Sequence, residues 1–184
     1  LTAKAGPLVI LDRDGVINYD SEAYIKSPDE WRPLPGSLAA IAALHAHGRR
    51  VVVVSNQSGV GRGLFSEAVL AAIHAKMIGA IVAAGGAVSG VYHCPHLPED
   101  KCACRKPAPG MLEQIARDFG CALTGVPFVG DKVSDVRAAE AVRARPILVR
   151  TGSGRAALAE LHDRPVEVYA DLAEAVTHLL AAGD

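Results

Sequence analysis

Aromatic side chains are scarce: Phe, Tyr and Trp together make up 4% of the 184 residues. A platform on which bases stack needs aromatic faces, so that mode of nucleic-acid binding is not expected, and the core has to be aliphatic. Neither sign of charge predominates, with 19 Lys and Arg against 20 Asp and Glu. General nucleic-acid and anionic-membrane surfaces carry a basic excess, so neither partner is expected, and any anion recognition must be local. Long apolar runs are missing too. The longest, such as 8–11 and 51–54, fall far short of the roughly 20 residues that span a bilayer. The amino end shows no secretory pattern. A soluble, cytoplasmic protein is the resulting expectation.

What is present is one domain's worth of aliphatic residues: half of the chain is hydrophobic. A single domain over 1–184 is expected. Short apolar runs at 8–11, 51–55, 90–93, 127–129 and 146–149, with a weaker one at 166–169, read as strands. They are continuous rather than alternating, as in parallel strands covered on both faces. Helical stripes lie between them: Leu38, Ile41 and Leu44, closed by Gly48; Leu70, Ile73, Met77 and Ile81; and Met111, Leu112, Ile115 and Phe119. Two more helices are expected at 133–142 and 171–180. The alternation predicts an α/β fold, a doubly wound, Rossmann-like parallel sheet with helices on both faces. The spacers are spent on the sheet's own helices, which leaves no room for a large cap domain. Irregular stretches at 18–36 and 95–109 follow the first and third strands, so both open at the carboxyl edge, where such folds keep their ligands.

Chemistry-bearing residues gather at the same edge. The first strand runs into Asp12-Arg13-Asp14-Gly15. Two carboxylates one residue apart at the end of a buried strand repel each other, so such a pair coordinates a cation or shares a proton. The bland alternative is a solvated turn. The second strand ends in Ser55-Asn56-Gln57-Ser58-Gly59, where a hydroxyl and Gly-rich backbone can meet phosphate oxygens or simply form a turn. Arg105 and Lys106 precede a helix, where a lysine can neutralise a phosphoryl group and an arginine can fork onto a second anion. Alone they would read as solvated cations. Asp131 ends the fourth strand and either closes a metal site with Asp12 and Asp14 or caps the next helix, a role open to Ser134 as well. Together these place a carboxylate pair, a hydroxyl, a lysine and a further carboxylate at four successive strand ends.

Of four cysteines, Cys94, Cys102 and Cys104 crowd into one segment with His96. In a cytosolic chain that clustering favours a metal over disulfides. Three thiolates and an imidazole form a closed tetrahedral Zn²⁺ set, structural rather than catalytic; free cysteines or a redox pair are the alternatives. Zinc would pin a loop that has few apolar residues of its own and would fix Arg105 and Lys106 beyond it.

In order, Asp12-Arg13-Asp14-Gly15, Ser55-Asn56-Gln57, Lys106, and Gly130-Asp131 with Asp135 resemble the four motifs of the haloacid dehalogenase superfamily. More narrowly, the stretches 11–18, 55–63 and 102–112 resemble the D-glycero-D-manno-heptose-1,7-bisphosphate 7-phosphatase family. The resemblance implies a phosphomonoesterase with Asp12 as nucleophile and Asp14 as general acid and base. It implies Mg²⁺ held by Asp12, the Asp14 backbone and Asp131, phosphoryl contacts from Ser55 and Lys106, and Asp135 behind the metal. A small phosphorylated sugar is the implied substrate, met by Arg105 and Lys132 with lesser contributions from Asp20, Tyr24, Asn56 and Gln57; a monomer is expected. Histidinol-phosphate phosphatases resemble the chain in the same motifs, and a non-catalytic zinc-stabilised module is the alternative of another class.

Overall fold

Strand β1 (Leu8–Asp12) is buried along its whole length. In the computed structural model, which describes residues 6–162 and 164–182, it lies within a six-stranded sheet ordered β3-β2-β1-β4-β5-β6. The ends of the expected domain, 1–5 and 183–184, fall outside the described residues. The other strands are β2 (Arg50–Asn56), β3 (Gly90–Cys94), β4 (Pro127–Gly130), β5 (Arg145–Val149) and β6 (Glu167–Tyr169), and every neighbouring pair is parallel. Parallel neighbours need long crossovers. The helices that accompany them are α1 (Ser37–Ala46), α2 (Ser58–Gly61), α3 (Glu67–Ala83), α4 (Gly110–Phe119), α5 (Val133–Ala141), α6 (Gly154–Glu160) and α7 (Leu172–Ala181).

Successive side chains of a strand point to opposite faces, so β1 divides the core. Val9 and Leu11 join Val51, Val53, Ile41, Ile73, Met77 and Leu172 under α1, α3 and α7. Leu8 and Ile10 join Val52, Val54, Leu112, Ile115 and Phe128 under α4 and α5. Each such side chain contributes roughly 1.5–3 kcal/mol on full burial. That two-sided aliphatic sandwich is what allows one edge of the sheet to carry buried charge.

The expected parallel sheet and five stripes or helices are all observed. Gly48 follows α1 at φ 72°, its N–H donating to the His45 carbonyl. Two α-helices have no counterpart among the expected elements: α2 and α6, both short, the latter built from Gly154-Arg155-Ala156-Ala157-Leu158-Ala159-Glu160. The last strand is one residue shorter than expected and only half-buried. No helix among the described residues is long and apolar enough to cross a membrane.

Candidate active site

The chain leaves β1 for β2 on one side and returns to its other side with β4. Crevices that hold ligands open at the carboxyl ends beside such a reversal. Asp12 is the last residue of β1, and Asp131 follows β4 directly. Lys106 arrives from the loop between β3 and α4, and Ser55 lies near the end of β2. All four are buried.

The Lys106 Nζ lies 2.8 Å from Asp12 Oδ1 and 2.7 Å from Asp135 Oδ1. Oxygens of Asp12, Asp131 and Asp135 all fall within 4.8 Å of one another. Burial is the main force raising the Asp12 carboxyl to about 6; Lys106 opposes it and Asp135 adds to it. Burial, then the Asp12 charge, lifts Asp131 to about 8. Burial would depress the Lys106 ammonium, but Asp12 and Asp135 outweigh it and the net shift is upward. Asp131 Oδ2 accepts the Ser153 N–H at 2.8 Å, whereas its buried Oδ1 has no hydrogen-bond partner among the described residues. An orphaned carboxylate oxygen beside two other carboxylates fits a hard divalent cation such as Mg²⁺, which binds oxygen donors. Gly15, at φ 85°, keeps the space clear: a Cβ there would stand 2.2 Å from Asp131 Oδ2.

The Asp14 carboxylate is not among these three. Arg13 forks onto it, Nε to Oδ1 at 3.0 Å and Nη2 to Oδ2 at 2.9 Å. Asn18 Nδ2 donates to Oδ1 and Gln57 Nε2 to Oδ2, each at 2.8 Å. Burial pushes its pKa up, but Arg13 and these donors hold it below the usual carboxylate range.

The bracing around the cluster gives several of these residues partners that the sequence does not show. Helix α5 is capped by neither Asp131 nor Ser134: Asp135 Oδ2 accepts the N–H groups of Asp131 (3.2 Å) and Lys132 (3.0 Å). Asn56, expected at the substrate, grips the Lys106 backbone through both ends of its amide, at 3.0 and 3.1 Å. Gln57 spans Asp14 and the Ser55 Oγ, the latter at 2.6 Å. Even so, Asp20, Tyr24, Asn56, Gln57, Arg105 and Lys132 all line one cavity of about 370 Å³ beside the acids. Tyr24 sits at φ 63°, an uncommon conformation for a non-glycine residue. Lys132 Nζ pairs with Asp20 at 2.9 Å across the cavity mouth. Arg13 and His74, both buried, have no role evident from the sequence; a histidine beside the apolar stripe of α3 is the one available signal.

Cys94, His96, Cys102 and Cys104 also converge. The Sγ and Nδ1 atoms lie 3.2–3.5 Å apart: Cys94 to Cys104 at 3.2 Å, His96 to Cys104 at 3.3 Å, and Cys94 to Cys102 at 3.5 Å. Ligands about 2.0–2.3 Å from a tetrahedral Zn²⁺ have spacings only slightly larger, so the donor set fits that ion. Arg105 Nη1 donates to the His96 carbonyl at 3.2 Å, which ties the cavity to this loop.

A parallel sheet with acids at the ends of β1 and β4 and a lysine between them defines a HAD-like hydrolase, and the family model described as HAD-hydrolase-like matches residues 103–175. A Bordetella bronchiseptica D-glycero-beta-D-manno-heptose-1,7-bisphosphate 7-phosphatase is 55% identical over 153 residues, 83% of this chain and 86% of its own. The Pseudomonas aeruginosa protein of the same name is 48% identical over 173 residues, 94% of this chain and 97% of its own. The crystal structure of the B. bronchiseptica D,D-heptose 1,7-bisphosphate phosphatase, complexed with magnesium and phosphate, superposes with a TM-score of 0.93 at 51% identity, covering 96% of this chain and 99% of that one. The chain therefore belongs to the D-glycero-beta-D-manno-heptose-1,7-bisphosphate 7-phosphatase family.

The raised carboxyls carry a sign that can be measured. Both bind protons more tightly folded than unfolded, from an ordinary value of 3.8. Their contribution to the metal-free fold is thus present at acid pH and lost as pH rises through about 6 for Asp12 and about 8 for Asp131. Mg²⁺ competes for the deprotonated forms. The rise in Tm on adding Mg²⁺ should therefore grow across that window; a Tm gain independent of pH would contradict the assignment.

Proposed function

We propose that the chain is a magnesium-dependent phosphomonoesterase that removes the 7-phosphate of D-glycero-D-manno-heptose 1,7-bisphosphate through an aspartyl-phosphate on Asp12, a step toward nucleotide-activated heptose for lipopolysaccharide. The observation that carries it is the buried Asp12–Lys106–Asp135 contact beside the unpartnered Asp131 oxygen, in a chain 48–55% identical to relatives of that name. The β anomer, which those names specify, is the proposed preference.

In this reading an Asp12 oxygen attacks phosphorus while the P–O bond to the sugar breaks. Asp14 gives its proton to the departing sugar oxygen, then takes one from the water that splits the acyl phosphate and frees inorganic phosphate. Asp14 is held ionised in the resting arrangement. Arrival of a phosphate dianion nearby raises its pKa, because like charge disfavours ionisation, and departure of product reverses that. Mg²⁺, held by Asp12, the Asp14 backbone and Asp131, would offset the repulsion between carboxylate and phosphate. Ser55 and Lys106 meet the equatorial oxygens as charge spreads over them. Arg105 and Lys132 supply positive charge on the cavity wall for the second phosphate. Residence in the cytoplasm, where thiols stay reduced and open to metal, would suit the Cys94, His96, Cys102 and Cys104 donor set. One domain acting as a monomer completes the proposal.

Phosphate release should be fastest from the β anomer, slower from the α anomer and negligible from histidinol phosphate. Asp12→Asn should lower it at least about 10³-fold with the fold intact by circular dichroism. Faster turnover of histidinol phosphate, or an active Asp12→Asn protein, would overturn the reading.

Removal of zinc by a chelator that spares Mg²⁺ should raise KM for the bisphosphate about 10-fold or more, because the Arg105 anchor at His96 loosens, before the sheet unfolds. Unchanged KM in zinc-free protein would show that the loop does not position Arg105.

A further inference from the structure

Behind Asp14 lies a contact that the proposed reaction does not use. Arg13 is 1% exposed and its guanidinium is planar, so the direction of its fork onto Asp14 depends on what holds its remaining nitrogen. That nitrogen, Nη1, lies 3.3 Å from His74 Nε2, on α3, 61 residues along the chain. Guanidinium only donates, so Nε2 must accept, and His74 is the neutral Nδ1–H tautomer. Burial first, and Arg13 second, holds the His74 imidazole down at about 4, in keeping with that state. The His74 ring packs against that of His93, centroids 5.7 Å apart, and His93 Nε2 lies 3.0 Å from Glu67 Oε2. The other two donors to Asp14 are shared: Asn18 Nδ2 also serves the Tyr19 carbonyl, and Gln57 Nε2 also serves Ser55. Among the described residues, Arg13 alone engages both Asp14 oxygens.

We infer that His74 is a positioning residue that, through the Arg13 guanidinium, sets the direction of the Asp14 carboxylate during proton transfer to the leaving group. The inference rests on the reading of Asp14 as the general acid. A histidine that merely satisfies a buried arginine would support folding, and its loss would slow every substrate alike. One that aims the acid matters only when the leaving group needs a proton.

Two esters separate these cases: heptose 1,7-bisphosphate, whose sugar leaves as an alkoxide unless protonated, and p-nitrophenyl phosphate, whose phenolate leaves unaided. The quantity to compare is kcat/KM, which ends at release of the alcohol and excludes the later water step. His74→Leu removes the acceptor and should lower kcat/KM for the bisphosphate roughly 10–100-fold, with p-nitrophenyl phosphate changed by less than about threefold. His74→Gln, which restores an acceptor oxygen, should recover most of the loss. Asp14→Asn should show the same selectivity, larger. Equal losses on both esters, or none, in His74→Leu while Asp14→Asn stays selective would overturn the role of His74 and leave Asp14 as the acid. An unselective Asp14→Asn would remove that reading, and the inference with it. Should His74→Leu not fold, Arg13→Lys keeps the charge but loses the fork; it should be selective in the same sense, and an unselective loss would overturn the inference.

Discussion

Everything at the carboxyl edge of the sheet depends on one ammonium group, that of Lys106, held between the carboxylates of Asp12 and Asp135 where water is excluded. Taking one partner from a buried pair costs roughly 3–5 kcal/mol, because the survivor is left uncompensated. Here the compensation is deliberately incomplete: Asp131 stands beside the pair with one oxygen unpartnered. Such an arrangement is poor design for stability alone and good design for receiving a divalent cation and then a phosphate. The aliphatic layers on both faces of β1 and β2 are what make it tolerable.

Around that centre the chain spends its polar side chains on holding rather than touching. Asn56 fixes the Lys106 backbone, Asp135 caps α5 while pairing with Lys106, and Gln57 joins Ser55 to Asp14. Preorganisation of this kind keeps charged groups aimed without solvent to reorient at the moment of reaction. The Cys–His cluster extends the same logic outward, because Arg105 is anchored on the His96 carbonyl. The stretch through Asp20 and Tyr24 lines the same cavity as Arg105, so the proposed selectivity rests on these two loops.

The sheet was legible because strands buried on both faces read as unbroken runs of Val, Ile and Leu, and because Asp12, Ser55 and Asp131 stand where those runs stop. Elements that do not bury such a run were less legible. Helix α6 is short and rich in alanine, and β6, at the sheet's edge, is half-buried. Site residues could be read by type and position but not by partner. The amide of Asn56 lines the cavity, but its hold on the Lys106 backbone, 50 residues away, has no signature in the sequence. Nothing in the sequence singles out His74 for this contact, because the arginine it meets is separated from it by 61 residues. Contacts of that kind have no period or spacing to betray them.

The central claim is that Asp12 and Asp131 share one divalent ion next to Lys106. Crystals soaked in Mn²⁺, an anomalous scatterer that replaces Mg²⁺ at oxygen sites, test it most directly. A single anomalous peak within about 2.5 Å of carboxylate oxygens from both Asp12 and Asp131 is the predicted result. A peak bound elsewhere on the molecule, with these two carboxylates left without the ion, would contradict the account.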